Sequence, residues 1–151
     1  MNKLHHLFGK LEAYTKDYLK YNKSISQGNV GWHIVHSCLV IDSVCAAVLK
    51  SDPSSFVKKF NLKASLVLWF NTFPRGKAKA PSFTIPSKEF TPDTILQSIQ
   101  NARESVKALS MAGENQYFTH PIFGQLHTAQ TFQFLSVHTH HHLKIIRDIL
   151  R

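Results

Sequence analysis

Ten histidines are many for a chain of 151 residues, and four of them fall within Val137-His138-Thr139-His140-His141-His142-Leu143. On a helix advancing about 100° per residue, His138 and His142 lie within about 40° of each other and about 6 Å apart along the axis. Two neutral imidazoles so placed can present nitrogens to one ion at about 2.0–2.1 Å, the spacing logic of a helical HxxxH metal site. The same pair also suits two core histidines hydrogen-bonded to backbone or hydroxyl groups, so a third ligand is needed to choose. Thr131, Phe134, Leu135, Ile145 and Ile149 share their face, which therefore points inward. His140 lies nearly opposite and is expected in solvent, with His141 on the flank.

A third ligand is available in Gly31-Trp32-His33-Ile34-Val35-His36-Ser37. His36 shares a helical face with Trp32, Val40, Ser43 and Ala47, and His33 lies about 60° away, so either ring can reach inward. A second apolar stripe, Ile34, Cys38, Ile41, Cys45 and Leu49, runs down the opposite side. This helix is thus expected to be buried on two sides, under another part of the chain or against a second copy of it.

Positioning these residues requires helices, and hydrophobic periodicity marks four, at about 3–21, 29–50, 92–112 and 127–150. Gln27-Gly28-Asn29 separates the first two. Thr91-Pro92-Asp93 is a start signal, with an N-capping hydroxyl, proline at the first helical position and an acid near the positive helix end. Met111-Ala112-Gly113 is a stop signal. The first pair and the last pair have short links, but roughly forty residues, Ser51 to Phe90, cross from the second helix to the third. A connection of that length in a compact domain is functional or packed over something, here as a lid on the site. Asp52-Pro53-Ser54-Ser55 is placed to start a short helix through Phe60, and Phe73-Pro74-Arg75-Gly76, Ala80-Pro81 and Ile85-Pro86 enforce turns and extended chain after it.

The expected architecture is one domain, residues 1–151, all-α, a bundle of four helices with one long crossover. No signal segment or uninterrupted membrane-spanning run is evident, and a cytoplasmic protein without a membrane partner is the default. Cys38 and Cys45, seven residues apart on one helix, sit about 10 Å apart, beyond disulfide reach, and are read as small core residues. The formal charge of +9 invites a nucleic-acid reading. The basic residues are spread, however: Lys3, Lys10, Lys16, Lys20 and Lys23 along the first segment, and Lys58, Lys59, Lys63, Arg75, Lys77, Lys79 and Lys88 in the middle third. No helix-turn-helix, zinc-finger or aromatic stacking signature accompanies them, so no nucleic acid is expected.

Three elements in order, Trp32-His33-Ile34-Val35-His36-Ser37, His120-Pro121-Ile122-Phe123-Gly124-Gln125-Leu126 and His138-Thr139-His140-His141-His142-Leu143, resemble the DinB-like superfamily, in its branch with an HPxFGxL loop and a C-terminal HxxHH helix. The likeness runs through nearly the whole chain. It implies a four-helix bundle with a long connection between helices two and three, often dimeric, with a divalent metal on three histidines near one end. Carried over position by position, the ligands are His36, His138 and His142. Trp32, His33, His120 and His141 become pocket or outer residues, with His33 and His141 as substitutes should the register differ.

Three neutral ligands leave a divalent ion its charge and open positions, an arrangement suited to activating water or a thiol. Zinc and nickel both suit imidazole nitrogen. The resemblance adds that some relatives transfer or isomerise with low-molecular-weight thiols. The expected function is a metal-dependent hydrolase or thiol transferase, with Arg75, Lys77 and Lys79 able to meet an anionic substrate. No extra acid or base is evident, since Asp42 and Glu104 are not placed for the metal and Asp52, Asp93 and Glu114 read as loop or capping residues. A metal-binding or sensing module without turnover is therefore the alternative. Phe118, Phe123, Phe132 and Phe134 can line a pocket near His120, although aromatics at helical spacing commonly build core.

Overall fold

The computed structural model describes residues 2–59, 61–70, 73, 81–86 and 89–151. Among these, five helices, α1 (Asn2–Tyr14), α2 (Val30–Lys50), α3 (Leu62–Phe70), α4 (Pro92–Leu109) and α5 (Thr128–Ile149), are joined by single 3₁₀ turns and one antiparallel hairpin, β1 (Tyr117–His120) and β2 (Gly124–His127). The fold is predominantly helical. The four expected helices are present, and α3 and the hairpin are additions to the all-α expectation.

Helix α2 is the central element, packed against both α4 and α5, while α1 lies on α4 and α5. Its two apolar sides have separate partners. The Ile34, Cys38, Ile41 and Cys45 stripe is fully buried on the side of α4, where Asp42 accepts from the Ser105 hydroxyl at 2.7 Å. The histidine face meets α5. By length and composition α2 is apolar enough to cross a membrane, but more than half of that stretch is buried inside the fold, and His33, His36 and Asp42 interrupt it. It is the core helix of this structure.

The helix ends follow the local chemistry. Asn29 caps α2, its Oδ1 accepting from the Trp32 amide at 2.8 Å. Thr91 caps α4 in a capping box with Thr94, with Pro92 at the first helical position. His127 caps α5, its Nδ1 accepting from the Ala129 amide while Gln130 reaches back to the His127 amide. Helix α1 stops at Tyr14, well before residue 21. The chain unwinds there because the Tyr18 and Lys20 carbonyls accept from the Gly31 and Val30 amides, satisfying the first turn of α2. Gly31 also admits Phe90, whose ring lies where a Cβ would stand.

The crossover opens with a 3₁₀ turn, Pro53–Ser55, capped by Asp52, and the helix expected from there does not continue, residues 56–59 being non-helical. Helix α3 follows instead, with Asn61 Oδ1 accepting from the Ala64 amide. It escaped the periodicity reading because Leu62-Lys63-Ala64-Ser65-Leu66-Val67-Leu68-Trp69-Phe70 is apolar on nearly every side. The crossover returns to the helical core at Phe73 and at the 3₁₀ turn Ser82–Thr84, which packs on α2.

The expected short link between α4 and α5 is the β1/β2 hairpin, paired from Tyr117 with His127 to His120 with Gly124. Gly124 has φ of +71°, the left-handed region that glycine enters without steric cost. His120 closes the same turn, its Nδ1 accepting from the Ile122 and Phe123 amides at 3.1 and 3.3 Å, its ring stacked on Phe123. The His120-Pro121-Ile122-Phe123-Gly124 motif thus acts locally as a hairpin closure.

Candidate metal centre

His36 from α2 and His138 and His142 from α5 converge on one point. One nitrogen from each lies within 4.8 Å of the others. Three points so spaced sit no more than about 2.8 Å from a common centre, so ring movements of about 0.7 Å bring them to the ~2.0–2.1 Å of metal–imidazole bonds. His36 and His142 are buried and His138 partly so. The helical register supplies two of them one turn apart, and packing of α2 on α5 supplies the third.

Their hydrogen bonds engage one nitrogen on two of the three rings. The Nδ1 of His36 lies 2.7 Å from the Thr84 carbonyl oxygen, which can only accept, so this nitrogen carries the proton and Nε2 keeps its lone pair. The Nδ1 of His142 lies 2.9 Å from the Nδ1 of His33. The His33 Nε2 in turn lies 2.9 Å from the Ser26 hydroxyl, which also accepts from the Gly28 amide at 3.0 Å. One assignment satisfies the whole chain with Nε2 of His142 left for an ion: His142 Nδ1–H donates to His33, and His33 Nε2–H donates to Ser26. Metal-ligating histidines are held by such outer partners, which set tautomer and ring orientation. The third ring differs, because the buried Nδ1 of His138 has no hydrogen-bond partner among the described residues. A buried polar nitrogen without a partner is costly, and a metal ion between the rings is the kind of partner this donor set fits.

The electrostatics agree with neutral rings. Burial pushes His142 and His138 well below the ordinary imidazole value, and the neighbouring imidazoles push the same way. Burial also lowers His36, against a smaller upward pull from the Thr84 bond. Neutral imidazole is the form that ligates metal.

Around the triad the aromatic residues form a wall. Trp32 stacks on His36 at 4.8 Å and 12° between planes. Phe73, from the crossover, meets His138 and His141 edge-on, and Phe134 stacks on His138. His141 stands edge-on to His142. His120 reaches Phe134 at 5.2 Å, one ring removed from the triad, and burial lowers it to about 4. Of the expected outer residues, Trp32, His33 and His141 touch the triad rings directly, and His120 stands behind them. Phe118 and Phe123 are core residues beside it.

Several expectations change. His140 is half-buried rather than solvated, in a surface cavity of about 480 Å³ with Lys10, Tyr14 and Arg147, because α1 packs on that side of α5. Arg75, Lys77 and Lys79 lie outside the described residues. Sequence reading missed Thr84 and Ser26, which hold His36 and His33. Thr84 acts through its backbone carbonyl, 48 positions from its partner, and no side-chain pattern signals that. Cys38 and Cys45 are buried free thiols, as expected. Burial pushes both upward, Cys45 to about 12.

No family model, curated protein or solved structure matches the chain. Fold and site define its class on their own: a predominantly helical protein with three histidines close enough to hold a metal ion.

Proposed function

We propose that the chain is a metal-dependent enzyme of the DinB-like superfamily, a four-helix bundle in its principal helices, with one divalent ion, zinc or nickel, on His36, His138 and His142. The observation that carries this reading is the convergence of those three nitrogens within 4.8 Å. Support for the superfamily comes from the ordered motifs at Trp32–Ser37, His120–Leu126 and His138–Leu143, and from the crossover packing onto the triad through Phe73 and Thr84.

When bound, the ion polarises coordinated water or thiol and supplies a nucleophile near neutral pH, which suits a hydrolase or a transferase using a low-molecular-weight thiol. The protein's own residues orient and enclose. Thr84 and His33 fix two imidazoles, and Trp32, Phe73 and Phe134 exclude water and lower the local dielectric. The superfamily reading also carries a homodimer.

One observation favours a second reading, a metal-binding or sensing module without turnover. Among the described residues the metal-ligating cluster is three imidazoles with no carboxylate in it, so it supplies no ready general acid or base of its own. Elemental analysis of protein purified without a histidine tag separates occupied from vestigial sites: about one metal per chain, lost in His36→Ala, His138→Ala and His142→Ala. Thiol-transfer and hydrolase substrates are then screened with the metal found. No metal after reconstitution with zinc or nickel removes both readings.

A further inference from the structure

Helix α3 has two apolar sides, and among the described residues only one of them is covered. Ala64 is buried and Val67 and Leu68 are partly buried against the body of the protein. Leu62, Leu66, Trp69 and Phe70 recur at i, i+4, i+7 and i+8, which sets them on one ridge of the helix. That ridge faces out: Trp69 is 84% exposed, Phe70 67% and Leu62 60%. Val57, just before the helix, is exposed too. Isolated exposed apolar residues are ordinary, but a contiguous ridge of this kind marks an interaction surface.

The charge of the chain segment that contains it favours one partner. Residues 53–88 hold seven of the chain's 18 Lys and Arg and none of its nine Asp and Glu. The other 115 positions carry eleven basic and nine acidic residues, so residues 53–88 hold +7 of the net charge of +9, and the whole crossover, with Asp52 and Glu89, holds +5. Lys58 and Lys59, immediately before α3, are exposed. Two such segments facing each other in a dimer meet as like charges. A nucleic acid takes the charge but has no use for the aliphatic Leu62, Leu66 and Val57, since its bases stack on aromatic faces. An anionic lipid surface takes both: apolar side chains enter the boundary between headgroups and acyl chains, and ammonium groups meet the phosphates. Nine residues of helix span about 14 Å, too short to cross a bilayer and suited to lying along it.

We propose that α3 docks the protein on anionic membrane surfaces, with Leu62, Leu66, Trp69 and Phe70 inserted and Lys58 and Lys59 at the headgroups. The docking is peripheral. The same crossover places Phe73 and Thr84 on the histidine triad, so docking sets the candidate metal centre beside the lipid interface.

The test is flotation of the full-length, tag-free protein with phosphatidylcholine vesicles, with and without about 30% phosphatidylglycerol. Partition should be at least about tenfold stronger on the anionic vesicles and should fall with added salt. Leu66→Ser with Trp69→Ala should lower it by about tenfold or more, and Lys58→Gln with Lys59→Gln should lower it on anionic vesicles alone. All four positions are exposed, and an unchanged thermal transition and unchanged metal binding confirm that each variant is folded with its site intact. Equal partition to both vesicles, no partition, or binding indifferent to the ridge substitutions overturns the proposal. So does a solution dimer, or binding to an oligonucleotide, that the ridge variant abolishes while vesicle binding stays absent. Metal content is independent of these outcomes, so failure of the docking surface and failure of the metal reading are distinguishable.

Discussion

The Nδ1 of His33 lies 2.9 Å from the Nδ1 of His142 across the packing of α2 on α5. Two ring nitrogens at that distance share one proton, and the proton's position decides which nitrogen of His142 is left for an ion. The Ser26 hydroxyl accepts from the Gly28 amide and has a second lone pair for a His33 Nε2–H, which is compatible with the His142 proton on Nδ1. His33→Phe should therefore weaken zinc or nickel binding by about 10- to 100-fold while the triad itself is intact. Metal titration checks the affinity. Long-range ¹⁵N spectra of the zinc form should show His142 protonated at Nδ1 in the wild type, and a proton on Nε2 instead sinks the relay.

Replacing any one of His36, His138 and His142 by alanine should abolish metal-dependent stabilisation. Saturating the wild type at about 100 times the dissociation constant raises its stability by about 2.7 kcal/mol, seen as an upward shift of the thermal transition. The three variants should show no such shift. A shift retained in the His142 variant and lost in a His33 variant exchanges the two assignments.

Stability of the metal-free protein should depend on acidity. Burial holds His36, His138 and His142 below the ordinary imidazole value of 6.5, to which they return on unfolding. Between 6.5 and the lower folded values the unfolded chain binds more protons, so stability is fully present above about 6.5 and is lost as pH falls below it. The slope is up to about 1.4 kcal/mol per pH unit for each ring. Urea titrations at pH 7.5, 6.5 and 5.5 measure it, and a flat profile means the rings are not buried as described.

His120→Ala should cost stability without costing metal. The substitution leaves the Ile122 and Phe123 amides without the acceptor that closes the hairpin, at a cost of about 1–2 kcal/mol. Gly124→Ala should cost a similar amount, about 1–2 kcal/mol, from the left-handed backbone it forces on alanine. Chemical denaturation reads both, and loss of metal stoichiometry in the His120 variant makes that ring a ligand rather than a hairpin closure.

Cys38 and Cys45 should resist thiol reagents in the native protein. Both are almost wholly buried, and a thiol pushed to about 12, as at Cys45, offers almost no thiolate at neutral pH. Labelling should proceed at the rate of unfolding and be complete in denaturant. Rapid native labelling places them at an accessible surface.

What the sequence determined by itself is local. The four principal helices follow from apolar spacing, the start of α4 from Thr91 and Pro92, and the shared face of His138 and His142 from 3.6 residues per turn. The buried character of the two cysteines was equally legible in the residues, whereas the hairpin that turns at Gly124 was not expected. What only the tertiary structure decided is relational. Periodicity assigned His36 and His33 to neighbouring directions without saying which ring meets α5 face-on and which stands beside it, because that depends on how far α2 is rotated about its own axis. The C-terminal end of α1 was decided by the Tyr18 and Lys20 carbonyls, which accept from the first amides of α2. Helix α3 was invisible because an evenly apolar segment has no preferred face, and its outer ridge is defined only by what packs against the inner one. The Thr84 carbonyl and the Ser26 hydroxyl carry no signature of their roles, since a hydrogen bond between positions far apart in the chain exists only once folding has brought the two groups within 3 Å.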